Sequence, residues 1–564
     1  MTAVDPVTAE IVRNALGSAA QEMAQTLCRT AYNPLLYDVQ DFGLGIVSAD
    51  GALWAAAGAH PLFIGTLPET VLGALATVGR DGFAPGDVLI VNDPYLTGSH
   101  ISDTCVYMPV FAGDDLVAFA LATAHWADIG GKVPGGWCGD TTDVYQEGLA
   151  FSHQRLARAG ERNDDLWSLI AGNVRYPTVV LGDLEAQVAS CRQGALRVES
   201  LCAKLGAARV RAAMADVIDR TDAAIRREIA AIPDGVYTAT ARMDNDGVAV
   251  DEPYDVVLTL TVEGDRLVAS FAGSSAARGG PVNVPFPGSR TMIRAALKGL
   301  LLPTDPANEG HFRSIEVVHD PGLVTSAVRP APTDSYGYVC VAICELAIRA
   351  LAQAIPARCP AGGFQLFGVF LFRVDPRDGT PFIAIDPMDG GNGGRPHEDG
   401  PTMMFLGNGD VLNTPVEVVE GRYPIRVERF EYLAETAGAG TFRGGMGVRR
   451  DYRLLEGGAM MQIVNENTDD PLAKGLNGGT DGRRSEVLVA PGTERERIYT
   501  QRESFVGPFP AGELISVRSG GGGGWGPPSG RDPGRVAADV RDGLLSAEQA
   551  RETYGVEIEQ RRVA

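Results

Sequence analysis

Histidine and aspartate residues are concentrated in one N-terminal part of the chain, where their spacing suits a metal ion. The chain has only seven histidines, and three of them, His60, His100 and His125, lie close together in sequence. His100 precedes Asp103 by three residues, and His125 precedes Asp128 by three. Imidazole nitrogens with carboxylate oxygens suit Zn²⁺, Mn²⁺ or Fe²⁺. Two histidines with one or two carboxylates leave open positions, at which such an ion acidifies a bound water or polarises a carbonyl.

Two further aspartates are candidates for the same site. Asp41 precedes an apolar segment that predicts a strand, so it could bring a third anionic ligand. Asp93, in the sequence Asn-Asp-Pro, could bind the ion or orient one of its ligands, although an aspartate before proline is also typical of a turn. A single His-x-x-Asp is common by chance and is then usually structural. Two such units that flank neighbouring predicted strands favour one shared site.

The periodicity of the apolar residues predicts which elements position these side chains. Asp5 and Pro6 begin a helix that ends at Asn33-Pro34, and residues 42–130 read as short strands and turns, with buried strands at 88–92 and 116–124. Residues 178–232 predict a long packing helix or a helical hairpin. After residue 233 the pattern alternates like half-buried strands, with one helix at 338–354, and glycine is dense from 381 to 525.

These patterns predict an α+β protein. We expect an N-terminal mixed α/β metal-binding domain with long helices at residues 1–232. A glycine-rich, β-dominated domain follows at 233–525, and its glycines indicate sheet turns and close backbone contacts. A short helical tail occupies 526–564, because Asp532-Pro533 and Ser546 are typical helix starts.

Composition excludes several classes of protein. The 564 residues include 49 Lys+Arg and 71 Asp+Glu, so the formal net charge is −22 and neither nucleic acid nor an anionic membrane is an expected partner. The longest clean apolar run, residues 116–124, is shorter than a membrane helix, and the N-terminal residues do not resemble a signal peptide. The eight scattered cysteines predict buried thiols in a reducing cytoplasm.

Other polar motifs give weaker indications. The chain has no Walker-type phosphate loop, and the formal GxGxxG at residues 521–526 is followed by Pro527-Pro528, so no helix can begin there to bind a pyrophosphate. His397, Glu398 and Asp399 form a second polar cluster, which we interpret as loop structure, with a site or a subunit contact as the alternative. Arg443 is a candidate phosphate or carboxylate ligand, but a structural ion pair is the preferred interpretation.

Long segments of the chain resemble the hydantoinase B/5-oxoprolinase family. The segments that carry this resemblance include DPVTAEIVRNAL from Asp5, QDFGLGIVSADG from Gln40, NDPYLTGSHISDTCVYMPVF from Asn92, HWADIGGKVPGG from His125 and TFRGGMGVRRDYRLL from Thr441. They extend over almost the whole chain. The family includes the B-type components of ATP-dependent hydantoin and lactam hydrolases, the second half of fused 5-oxoprolinases and alpha-type subunits of acetone and acetophenone carboxylases.

The resemblance implies a division of work between two subunits. A hydantoinase A type subunit with an actin-like ATPase fold would bind ATP and phosphorylate the carbonyl oxygen of a cyclic amide. The B-type component would bind a divalent metal and complete the hydrolysis in a hetero-oligomer. The family's ligands fall on Asp41, His100, Asp103 and His125; whether the two aspartates bind the ion or orient its ligands stays open. One departure from the family is the segment LLYDVQ before Asp41, which is often more basic in relatives and lies near the expected substrate contacts.

The same resemblance suggests catalytic roles and leaves alternatives. Asp128 or Asp93 would fix a histidine tautomer or take the proton of the attacking water. One alternative function is the alpha-type subunit of an ATP-dependent ketone carboxylase, in which the metal site handles a phosphorylated enolate and activated bicarbonate. Another is a non-catalytic assembly protein whose metal is structural.

Overall fold

The N-terminal part of the chain is built on one seven-stranded antiparallel sheet. The computed structural model describes residues 5–558 except 59, 375–380, 405–408, 410, 467–469 and 471. The strands are β1 (Phe42–Ser48), β2 (Leu53–Gly58), β3 (Val88–Val91), β4 (Asp103–Ala112), β5 (Asp115–His125), β6 (Ser152–Arg158) and β7 (Glu161–Arg162). They lie in the order β2-β1-β5-β4-β3-β6-β7, so the long hairpin β4–β5 is at the centre of the sheet.

Helices cover both faces of this sheet. They are α1 (Pro6–Thr30), α2 (Pro34–Tyr37), α3 (Pro61–Val78), α4 (Pro94–Thr97), α5 (Asp164–Asn173), α6 (Pro177–Leu205) and α7 (Ala207–Ala230). One apolar core joins α1, α6 and α7 to one face, and a smaller core joins α3 to the other. Ala118, Ala120, Ala122 and Ala124 of β5 all belong to the first core. Because these side chains are small and alternate along the strand, the long helix α6 can pack closely on the sheet.

Helix α3 is the one described helix that is long and apolar enough to cross a membrane, with a mean hydropathy of 1.4. In the structure, Leu62, Leu67 and Val71 are buried, and the helix packs against the sheet and against a helix of the second half. The hydropathy of α3 therefore agrees with its position between two layers of the fold.

The chain changes from helices to strands at residues 233–234, as the sequence predicts. A four-stranded sheet follows, with strands β8 (Gly235–Met243), β9 (Tyr254–Glu263), β10 (Arg266–Ser270) and β11 (Ile315–Val317). Two helices accompany it, α8 (Phe286–Leu301) and α9 (Gly337–Leu351). Helix α9 is buried along nearly its whole length and belongs to the largest apolar core, which also includes Leu62 and Phe63 of α3.

Two more sheets and one helix complete the β-rich part. Their elements are β12 (Gly368–Val374), β13 (Pro381–Pro387), α10 (Val416–Arg422), β14 (Ile425–Leu433), β15 (Gly447–Leu454), β16 (Met460–Val464), β17 (Glu486–Val489), β18 (Arg497–Tyr499), β19 (Glu503–Val506) and β20 (Leu514–Arg518). The sheet orders are β13-β12-β16-β19 and β14-β15-β20-β17-β18. The predicted α+β class is thus confirmed.

The glycine run 520–526 passes through a bundle of other glycine-rich segments. Its backbone bonds to Gly391, Gly394, Gly438 and Gly445 at N···O distances of 2.8–3.1 Å. A Cβ atom added at Gly523 would overlap the carbonyl group of Lys474. The predicted close backbone contacts are therefore confirmed. Backbones can approach one another this closely only where glycine leaves no Cβ atom between them.

A short helical tail closes the chain, as predicted. Helices α11 (Pro533–Arg541) and α12 (Ala547–Tyr554) begin at Asp532 and Ser546, whose side chains cap them. A small core that includes Ala439 and Val536 joins the tail to the glycine-rich part. All eight cysteines are free, seven of them buried, as expected. The domain boundaries at 232 and 525 stay predictions.

Candidate metal site

The β4–β5 hairpin brings two of the predicted ligands together. In its antiparallel register Asp103 is the direct partner of His125, at the open end of the hairpin. His100 lies in the turn just before β4, where the Asp103 N–H donates to the carbonyl of His100 at 3.1 Å. The two His-x-x-Asp units therefore contribute residues to one place because the strands pair, although the two histidines are 25 positions apart.

Three potential ligand atoms converge there. The distance from His100 Nε2 to His125 Nδ1 is 3.1 Å, and Asp103 Oδ1 is 3.1 Å from the first nitrogen and 3.0 Å from the second. All three side chains are at most 3% exposed. Among the described residues, these three form the group that the structure brings close enough to share one ion.

The outer hydrogen bonds of both histidines suit this arrangement to a cation. His100 Nδ1 is 2.8 Å from the carbonyl oxygen of Asp334, and His125 Nε2 is 3.0 Å from that of Gly135. A ring nitrogen beside a carbonyl oxygen must carry the proton, so each neutral ring turns its lone pair inward. Ligand atoms about 2.1 Å from one ion are about 3.0 Å apart when their bonds meet at right angles. The residues present therefore fit a divalent metal.

The pKa shifts of His100 and Asp103 also agree with a site for a cation. Burial by itself lowers the pKa of His100, but Asp103 and Asp334 outweigh it and raise the pKa well above its ordinary value. Burial by itself raises the pKa of Asp103, but His100 and His125 together outweigh burial and hold the pKa of this carboxyl well below its ordinary range. The buried carboxylate thus needs a positive partner, which either a metal ion or a proton on the histidine can supply.

Asp41 and His60 lie beside the three converging atoms. Asp41 is half-buried, and its buried Oδ1 has no hydrogen-bond partner within the described part of the chain; the same holds for His60 Nδ1. Burial raises the pKa of Asp41 and lowers that of His60. Both side chains and His125 line one cavity. A ligand in this cavity would meet two polar atoms that have no hydrogen-bond partner among the described residues.

The segment before α9 supplies contacts that reasoning from the sequence missed. The Tyr336 hydroxyl donates to Asp103 Oδ2 at 2.8 Å, and Asp334 accepts from the Cys138 N–H at 2.7 Å. Glu147 in turn accepts from the backbone N–H of Asp334 at 3.0 Å. No local pattern distinguishes Asp334 from an ordinary residue before a helix, because its partners are about 200 positions away. His60 was visible as one of three neighbouring histidines.

A buried glutamine fixes the strands that carry the candidate ligands. Gln187 of α6 donates to the carbonyls of Thr104 and Ala122 at 2.8 and 2.9 Å, and accepts from the Trp126 indole N–H at 2.8 Å. Trp126 follows His125 directly. Because a buried amide group must satisfy its hydrogen bonds, Gln187 determines how the end of the β4–β5 hairpin is held.

The structure gives the two predicted catalytic aspartates other partners. Asp128 accepts from the backbone and the guanidinium group of Arg175, the latter at 2.7 Å. Asp93 caps α4 through the Tyr95 N–H at 3.1 Å and pairs with Arg329 at 2.6 Å. The Asp128 contacts position the loop after His125, and the Asp93 contacts position the segment that leads to Asp334. Neither carboxylate is part of the converging group.

Two residues of the second polar cluster form ion pairs within the chain. Asp399 accepts from both terminal nitrogens of the buried Arg531 at 2.6 and 2.9 Å, and Glu398 pairs with Arg395 at 2.7 Å, while His397 is exposed. Arg443 makes a 3.4 Å contact with Asp539. The preferred interpretation of these residues, loop structure and an ion pair, agrees with these contacts, which join the tail to the glycine bundle.

Comparison with known proteins identifies the family. The Hydantoinase B/oxoprolinase family profile matches residues 5–528. The chain is 31% identical to the B component of a putative D-/L-hydantoinase from Pseudomonas sp. (strain NS671), with 98% of this chain and 95% of that protein aligned. It is 30% identical to the beta component of the caprolactamase of Pseudomonas jessenii, over 99% and 97%. The chain therefore belongs to the hydantoinase B/oxoprolinase family.

Solved structures agree with this assignment. The crystal structure of the ATP-dependent caprolactamase from Pseudomonas jessenii superposes with a TM-score of 0.91 at 27% identity, covering 99% of this chain and 97% of that one. A nucleotide-free acetone carboxylase matches with a TM-score of 0.88 at 17% identity, over 98% and 79%. The second likeness shows a shared fold.

Proposed function

We propose that this chain is the metal-dependent catalytic subunit of an ATP-dependent cyclic amide hydrolase, acting on a hydantoin, a lactam or 5-oxoproline. The observation that carries the proposal is the buried group His100, Asp103 and His125, whose lone pairs converge beside a cavity. The family supports the reaction class, since the relatives are named hydantoinase, caprolactamase and 5-oxoprolinase.

The proposal includes a partner. Because two relatives are named as one component of a larger enzyme, B in one case and beta in the other, we infer a second subunit of the hydantoinase A type that binds ATP in a hetero-oligomer. Transfer of a phosphoryl group from ATP to the amide oxygen there would give a carbon that water attacks readily. The free thiols favour a cytoplasmic location.

In this proposal His100, Asp103 and His125 bind the ion, Zn²⁺, Mn²⁺ or Fe²⁺, with Asp41 as the fourth ligand. The ion would lower the pKa of a bound water and polarise an oxygen of the substrate. The Asp334 and Gly135 carbonyls keep both imidazoles in the tautomer that presents a lone pair to the site. Tyr336 holds the other oxygen of Asp103, so that Oδ1 stays directed inward.

The proton of the attacking water needs an acceptor. His60 is suited to this role, because its Nδ1 is unpaired in the described structure and burial lowers its pKa, so the ring is neutral and can accept. Asp128 and Asp93 enter the proposal as positioning residues: Asp128 fixes the loop after His125, and Asp93 fixes Arg329 in the segment that leads to Asp334. This refines the sequence-based hypothesis, in which they held a tautomer or took the proton.

The test uses the complex co-expressed with its A-type partner. We expect wild-type protein to contain a stoichiometric divalent metal and to open a cyclic amide with consumption of ATP. His100→Ala and His125→Ala should each lose most of the metal and at least about 1,000-fold in turnover, because each removes one of the converging ligands. His397→Ala is the matched control: this histidine is exposed on another loop, and its loss should change neither quantity.

Three results would contradict the proposal. If both histidine variants retained metal and full activity, the converging group would not be the active site. If the complex carboxylated acetone with bicarbonate and opened no cyclic amide, the protein would instead be a ketone carboxylase subunit. Retained activity after complete metal removal would assign the ion a structural role.

A further inference from the structure

The cavity beside the converging ligands is mostly apolar. Its volume is about 60 Å³, several times the space that one water molecule needs. Asp41, His60 and His125 contribute carboxylate and imidazole side chains to its wall. Much of the remaining wall is formed by six apolar side chains: Leu366, Phe367, Phe370, Ile385, Val411 and Val464. Within the described part of the chain, no lysine or arginine lines this cavity.

One wall of the cavity is a fixed aromatic surface. Trp137 has a φ of 60°, a left-handed conformation that is strained for a residue with a side chain. Gln462 holds this backbone by donating to the carbonyls of Gly136, at 2.9 Å, and of Trp137. The indole stacks on Tyr336, with ring centroids 5.8 Å apart and an interplanar angle of 24°. The strained backbone therefore presents a flat apolar surface next to His100.

From this lining we infer that the cavity selects a cyclic amide whose ring carries a neutral, apolar substituent or none, and rejects a ring that carries a carboxylate, as 5-oxoproline does. The inference deepens the proposed function and rests on it. A carboxylate among these side chains would lose its hydration without a lysine or arginine of the described wall to pair with it. The one cation of the proposed site is already balanced by the carboxylates of Asp41 and Asp103, which would repel a third carboxylate. An apolar ring would instead pack against Trp137 and the branched side chains.

The test compares substrates that differ only in this substituent. The co-expressed complex is given ATP and either 5-methyl-2-pyrrolidinone or 5-oxoproline, which have the same ring with a methyl group or a carboxylate. A second pair is 5-isobutylhydantoin and hydantoin-5-propionic acid. We expect kcat/KM for the neutral member of each pair to be higher by about 100-fold or more, because the buried charge has no partner.

A variant tests the cause. Val464→Lys places an ammonium group in the wall, and we expect it to reduce the preference for the neutral ring by at least about tenfold. If this variant fails to fold, the wild-type comparison still decides. Equal turnover of both members of a pair, or a preference for the carboxylate, would overturn the inference and leave the proposed function intact. A complex that opens neither these four rings nor any other hydantoin or lactam would overturn the proposed function, and the inference with it.

Discussion

Removal of a single hydroxyl group tests whether the contacts around Asp103 tune the metal site. Asp103 Oδ1 faces the two histidine nitrogens, while its Oδ2 accepts the Tyr336 hydroxyl at 2.8 Å, and the carboxyl group is about 1% exposed. Tyr336→Phe deletes this donor and keeps the ring that stacks on Trp137. The substitution therefore removes a contact that orients one ligand and keeps all the ligand groups.

The magnitude follows from the burial of that oxygen. A buried acceptor that loses its donor costs about 1–3 kcal/mol, and each 1.4 kcal/mol is about tenfold in affinity. Contacts of this kind around metal ligands typically account for about 10–100-fold in metal affinity. We therefore expect Tyr336→Phe to weaken binding of Zn²⁺ or Mn²⁺ by about 10–100-fold, measured by competition with a chromophoric chelator.

Tyr338→Phe is the matched control for this experiment. Tyr338 lies two residues further along the chain, in α9, and its ring also contacts Trp137. It packs beside Arg502, whose guanidinium is 4.5 Å from the ring centroid, rather than beside Asp103. The metal affinity of this variant should stay within about twofold of wild type. If Tyr336→Phe folded with an unchanged Tm and bound the metal as tightly as wild type, the proposed role of the Tyr336 hydroxyl would be wrong.

Two further predictions concern stability. Asp183 accepts the Asn33 N–H, and burial raises its pKa from 3.8 to about 7. The unfolding free energy should therefore fall by up to about 4 kcal/mol as the pH rises from about 4 to 7. Asp183→Asn should flatten this dependence, and an unchanged pH profile of urea unfolding would contradict the reasoning. Gly523→Ala should lower the unfolding free energy by more than about 4 kcal/mol or prevent folding, because the added Cβ overlaps the Lys474 carbonyl. Gly279→Ala is the control: the space around this glycine is open, and its unfolding free energy should stay within about 1 kcal/mol of wild type. Equal melting temperatures of the two variants would show that the glycine bundle is not tightly packed.

The sequence predicted the secondary structure well where one local rule dominated. Asp5 and Pro6 begin α1, and the alternating three- and four-residue spacing places α6 and α7 within a few residues of their observed bounds. The glycine-rich segments were interpreted correctly as close backbone contacts. Their assembly around residues 520–526 was beyond a local pattern, because the interacting segments come from widely separated parts of the chain.

The candidate site, too, was predicted only in part from the sequence. Residue types and spacing identified His100, Asp103 and His125, because imidazole and carboxylate groups near strand ends are a chemical signal that is present in the sequence itself. The converging geometry came from the register of the β4–β5 hairpin, which pairs Asp103 with His125.

Local sequence was enough to define the elements and the chemical groups that this protein has available. Which of those groups act together depended on long-range packing. It placed Tyr336 and Asp334 beside residues more than 200 positions away. It paired Asp128 with Arg175. It also left one polar atom each of Asp41 and His60 without a partner among the described residues, beside a mostly apolar cavity. The physical reason is that helix and strand formation depends on neighbours in sequence, whereas burial, hydrogen-bond partners and the protonation of a site depend on neighbours in space.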